Sequence, residues 1–228
     1  MAFLVTLACS FVAVLLLRKP IAKAPLAFYA LSAATVVACV ASTAFGMPRF
    51  VWAALFVLEQ KCILPLALFT IVMFVGCFSK ESFVSRCIRP IRAELSIIAW
   101  ILSLAHVAVY VRGYVPRILG GDALAGNVAV SFGVAVVLLA LLLVLGVTSF
   151  HVVKRRMSTA LWTKVQKGAY AFFGLAFVHV SLMLAPSALQ GGRAAQASIA
   201  AYVVVFALYA CLRIARALRD HSDRDKAV

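Results

Sequence analysis

Long apolar runs separated by short basic clusters recur along all 228 residues, and no other feature restricts the fold as strongly. Inside a bilayer each backbone N–H and C=O must find its partner within the protein, so about 20 consecutive apolar residues are read as one membrane-crossing helix. Seven such runs are present, near Phe3 to Leu17, Pro25 to Phe45, Cys62 to Phe78, Ala93 to Val111, Asn127 to Val147, Val165 to Ala185 and Ala197 to Leu212. With 65% hydrophobic and only 13% charged residues, the chain lies far from the roughly one quarter charged composition of soluble domains. The expected fold is therefore all-α, a polytopic transmembrane helix bundle with a six-helix core and one extra N-terminal helix. It divides into 1–24 (first helix and basic loop), 25–213 (the core) and 214–228 (a charged tail). A chain of this length leaves no room for a soluble catalytic domain beside the bundle.

The net charge of +15 would suggest nucleic acid in a soluble protein, but here it follows membrane topology. With the amino terminus outside, the inner connections and tail hold 17 of the 22 basic residues, and Arg49, Lys61, Arg112, Arg117 and Arg193 are left outside. That bias is the positive-inside rule, and it predicts a multi-pass protein of the bacterial inner membrane with a cytoplasmic C-terminus. No nucleic-acid partner is expected. Arg18, Lys19 and Lys23 follow the first apolar run instead of preceding it, so that run is read as a retained helix and not a signal peptide. The segment Gly46 to Lys61 reads as an interfacial amphipathic stretch. The six cysteines show no CxxC spacing and read as small apolar packing residues.

Every acidic residue (Glu59, Glu81, Glu94, Asp122, Asp220, Asp223 and Asp225) falls in a connection or at a helix end by this topology. Without a mid-membrane carboxylate, an ion-coupled transporter is disfavoured. The histidines are more informative. His106 lies 14 residues after Arg92 and His179 lies 12 after Lys167, so the two reach about 21 and 18 Å into the membrane from the inner side. Two imidazoles at one level on two helices can give one axial nitrogen each to a haem iron. Arg92, Ser96, Ala99, Ser103, His106 and Tyr110 share a helix stripe, and Gly168, Phe172, Leu175 and Met183 share the stripe of His179. Small residues there would leave room for a flat cofactor. The alternative stays open that each histidine only hydrogen-bonds a neighbouring helix.

The run Val147 to Leu184, VTSFHVVKRRMSTALWTKVQKGAYAFFGLAFVHVSLML, resembles the ferric reductase-like transmembrane domain family. Its Thr-Ser helix end, basic loop, Trp, Tyr and late His come in that family's order. Arg92 to Tyr110, RAELSIIAWILSLAHVAVY, is similar to the family's earlier haem-binding helix. By pattern the nearest members are the haem-binding membrane subunits of bacterial methionine sulfoxide reductase systems. The resemblance covers roughly Cys62 to Arg213 and implies haem b held by His106 and His179, with Arg92, Tyr110 and Phe172 beside it. Members usually stack a second haem lower down, but those ligand places hold Arg92 and Gln166 here. One haem is therefore expected, with a second possible if His151 replaced the missing ligand; His221 is expected to be solvent exposed.

Two axial histidines favour one-electron transfer over oxygen binding. The expected partners are a quinol or a separate flavoprotein reductase as donor and a redox acceptor on the outer side. Flavin would enter only through that partner, since the tail is too short for a fused flavin domain. The competing class is a non-redox transporter or structural bundle whose histidines merely pack.

Overall fold

The computed structural model describes residues 1–121, 124 and 126–225, and among them only helices are found as regular structure. In chain order these are α1 (Ala2–Lys23), α2 (Pro25–Ser42), α3 (Arg49–Leu55), α4 (Ile63–Phe74), α5 (Phe83–Ile88), α6 (Arg92–Leu119), α7 (Gly126–Ser149), α8 (His151–Lys154), α9 (Thr159–Gln166), α10 (Gly168–Leu189) and α11 (Arg193–Asp225). Six stretches are long and apolar enough to cross a membrane: α1, α2, α5 with α6, α7, α9 with α10, and α11. The protein is an all-α, multi-pass membrane bundle. Its many exposed large apolar side chains, among them Leu16, Leu26, Val37 and Val204, are what a lipid-facing surface requires.

The first run is longer than its apolar core suggested. α1 has 22 residues, about 33 Å at 1.5 Å per residue, because the helix continues through the basic residues to Lys23. The charged tail likewise continues a helix. α11 carries on to Asp225 as one helix, and Lys226 lies outside the described residues, as does Asp122 between α6 and α7. The side chain of His221 is also outside the described set.

The largest departure from expectation concerns Gly46 to Phe78. Arg49 to Leu55 forms a helix that passes into a π-helical turn at Phe56–Gln60. The chain then breaks at Lys61 and Cys62, where Cys62 takes a left-handed φ of 56°. α4 follows at a bend of 42°, the arrangement of a broken span or a re-entrant loop. The end of the first half turns into the bundle: Glu59 is only 3% exposed. α4 itself has 12 residues, too few to cross alone.

Short as it is, α4 is the centre of the bundle. Its buried residues divide between two cores, Leu68, Ile71 and Val72 meeting α1 and α6, and Ile63, Ala67 and Met73 meeting Phe173 of α10 and Tyr202, Phe206 and Tyr209 of α11. A helix apolar on all sides is one surrounded by protein. α6 packs chiefly on α2 and α4, and α10 on α7 and α11. The turn between α10 and α11 uses Gly191 at φ +82°, a conformation that costs a glycine nothing, so the two helices run back against each other.

Basic residues from distant parts of the chain meet at one end. The Arg18 guanidinium donates to the Cys87 thiol, joining the end of α1 to α5. His151 at the start of α8 lies 3.9 Å from Glu94 near the start of α6. Lys154 sits over the Trp162 ring at 4.3 Å. These contacts draw the basic clusters around Arg18, Arg86, Arg92, Lys154 and Lys164 to the same face.

α6 meets α7 where Trp100 lies on Gly146, and a Cβ at that glycine would fall inside the indole. Gly146→Ala should therefore destabilise the bundle by about 1–3 kcal/mol, the usual cost of overpacking. Thermal unfolding in detergent checks this. Gly174→Ala, whose added Cβ meets nothing within 4 Å, should leave the melting temperature unchanged or slightly raised.

A candidate histidine site between two helices

His106 and His179, expected at one level on two helices, are neighbours. Their ring centres are 6.2 Å apart and the rings are perpendicular. α6 runs without a break from Arg92 through His106, so the helix count from the basic end holds.

Each ring is fixed through Nδ1. His106 Nδ1 donates to the backbone carbonyl of Gln60 at 2.7 Å. That carbonyl is free to accept because the helix stops one residue later, at the Lys61–Cys62 break; an uninterrupted helix would have used it four or five residues on. His179 Nδ1 lies 3.2 Å from the Ser131 carbonyl and 3.0 Å from the Ser131 hydroxyl on α7. Donation to the Gln60 carbonyl places the proton of His106 on Nδ1 and leaves its Nε2 with a lone pair; the Ser131 carbonyl can hold His179 in the same tautomer. This is how metal-binding histidines are ordinarily oriented, the second nitrogen held by a backbone or carboxylate acceptor.

Two imidazoles sharing one ion at a metal–nitrogen distance of about 2.0–2.1 Å would have ring centres about 6.3 Å apart, close to the distance here. Among the described residues no group of three or more His, Cys, Asp or Glu side chains comes together. Two nitrogens alone make an incomplete shell, so an ion held here would need most of its ligands from elsewhere, as a haem macrocycle supplies them.

The other expected residues divide. Tyr110 lies against His106, ring centres 4.7 Å apart, and itself stacks on Tyr114 at 6.0 Å. Phe172 sits two turns before His179 on α10 and meets Phe69 of α4 edge-on at 5.2 Å, closing the apolar wall below the histidine. Arg92 is not brought to the pair; it remains at the basic end, within reach of Arg89, Tyr170, Tyr209 and Arg213. Gln166 ends α9 and donates to the Thr148 hydroxyl at 3.0 Å, so its amide ties α9 to α7. His151 is mostly exposed beside Glu94. The stripe serines Ser96 and Ser103 return their hydroxyls to carbonyls of their own helix.

Sequence reasoning missed Gln60, Ser131 and Glu59. Ser131 was detectable as an isolated polar residue in the very apolar α7. The Gln60 carbonyl had no side-chain signal, because a backbone atom does the work. Glu59, expected at an outer connection, is buried with Oε2 lacking a hydrogen-bond partner among the described residues, one residue from the carbonyl that holds His106.

The chain is 42% identical over 154 residues to an uncharacterized protein of Treponema pallidum (strain Nichols), an alignment covering 67% of this chain and 42% of that protein. The aligned part is thus less than half the length of this relative. No family model matches the chain, and no solved structure matches it.

Because the acceptor is backbone, Gln60→Ala should keep the histidine bond and the stability of the bundle. His106→Phe leaves the Gln60 carbonyl buried without a donor and should cost about 1–3 kcal/mol. Melting temperatures of the two variants in detergent decide it; equal values would show that the bond contributes nothing.

Proposed function

We propose that the chain is a haem b-binding electron-transfer protein of the bacterial inner membrane, related to the ferric reductase-like transmembrane proteins that its helix motifs resemble. The observation that carries the reading is the histidine pair, 6.2 Å between ring centres, with each Nδ1 held by a neighbouring segment's carbonyl. His106 and His179 would hold the haem, which would supply a one-electron carrier suited to electron transfer rather than to binding of oxygen.

The residues of the chain have distinct tasks. His106 and His179 present their Nε2 lone pairs from α6 and α10. Gln60 and Ser131 fix the tautomers and make the rings better ligands. Tyr110 covers one ring, and Phe172 with Phe69 excludes water below the other. Arg92 and Gln166, the places of a second ligand pair, are engaged at the basic end, which supports a single haem. With that end in the cytoplasm and the amino terminus outside, as the charge bias predicts, the pair lies in the outer half of the membrane. Electrons then come from a quinol or from a separate flavoprotein, the only source of flavin in this scheme, and leave to an acceptor outside. That the partner system is one of methionine sulfoxide reduction is the resemblance's narrower suggestion.

A second reading, an ion-coupled transporter without haem, draws on Glu59. A buried acid with an unpartnered oxygen in a broken helix pair is a feature of ion sites in transporters.

The two readings differ in colour. The reduced minus oxidised spectrum of purified protein, with a pyridine haemochrome assay, should give about one b-type haem per chain. His106→Ala or His179→Ala should remove most of it, and His151→Ala should not. Colourless protein after expression with ample haem would reject the first reading, and two haems per chain would reject the single site.

A further inference from the structure

α10 and α11 enclose a groove of about 400 Å³, separate from the histidine pair. Its walls are Phe177, Gly174 and Val203 at one end, and Tyr170 and Tyr209 at the other. Gly174 and Val203 are exposed, so the apolar end opens on the outer surface of the bundle, where lipid lies. The other end is polar and positive. Arg213 donates to the Tyr170 hydroxyl through Nε at 3.0 Å and through the guanidinium terminus at 2.7 Å. Tyr209 is only 8% exposed, and its hydroxyl has no hydrogen-bond partner among the described residues.

Cations dominate this end. Arg92 and Arg213 are within electrostatic reach of each other, with Arg89 acting on Arg92 and the two phenols and Cys77 nearby. Paired guanidinium groups beside a buried hydroxyl with no hydrogen-bond partner suit an oxyanion. Arginine is the residue suited to phosphate, through paired N–H donors.

We propose that this groove holds one anionic phospholipid, its phosphate on Arg213, Arg92 and the Tyr209 hydroxyl and one acyl chain along Phe177, Gly174 and Val203. The apolar groove and the cationic head site are continuous, on a surface that already faces lipid. Neither a soluble anion nor a free hydrocarbon would use both. From Tyr170 to Phe177 the groove follows α10 for seven residues, about 10 Å of rise, which suits the upper part of an acyl chain below a headgroup. The site is independent of whether the histidines hold haem.

Native mass spectrometry of the full chain in mild detergent tests this, by titration with phosphatidylglycerol, with phosphatidylcholine of the same chains, and with inorganic phosphate. Phosphatidylglycerol should bind at least about fivefold more tightly than phosphatidylcholine. Arg213→Gln should weaken it about fivefold, the weight of one basic residue at an anionic membrane surface. Gly174→Leu fills open space without altering charge or the arginines, and should weaken binding by a similar factor. Equal binding of the two lipids would mean ordinary annular lipid and overturn the proposal. Unchanged binding in Gly174→Leu, or competition by millimolar inorganic phosphate as effective as by phosphatidylglycerol, would reduce the site to a soluble-anion patch and overturn it equally.

Discussion

Inside lipid a backbone carbonyl without a donor costs several kcal/mol, and this single constraint shapes both the bundle and its candidate site. It makes every crossing segment a helix. It also means that a helix cannot break at membrane depth unless something else satisfies the groups set free. At Lys61 and Cys62 the chain does break, and the imidazole of His106 takes up the Gln60 carbonyl. The histidine is thereby fixed in ring orientation and in tautomer. A defect in one helix supplies the positioning contact for a side chain on another.

The second half of the site is built differently. His179 is held by Ser131 from the second turn of an intact helix, through a carbonyl that already serves the helix ladder and a hydroxyl that adds a second contact. A carbonyl has two lone pairs, so it can accept from the ring without losing its helical bond. The same end result, an Nδ1 proton committed to a carbonyl, is thus reached once by breaking a helix and once by sharing one.

Much of this was legible in the sequence. Apolar runs gave the helices because hydrocarbon admits few alternatives, and the equal depth of His106 and His179 followed from counting 1.5 Å per residue from the basic end. What was not legible has a common cause. The break at Cys62 depends on a left-handed backbone at a residue with no special propensity for it. Burial of Glu59 is a tertiary fact, since the turn that carries it packs against α2, α4 and α6. Arg92 shared a helix stripe with His106, yet four turns of helix separate them and Tyr170, Tyr209 and Arg213 claim its end of that stripe. A stripe states which face residues occupy, not how many sites that face serves.

α7 carries 24 residues, a rise of about 36 Å against a hydrocarbon core of about 30 Å. Few of its side chains are buried, so lipid and not protein surrounds most of it. Such a helix adjusts to bilayer thickness by tilting, and Ser131, one of its buried residues, grips His179. The contact that holds one imidazole is thereby carried by a helix that faces lipid along most of its length.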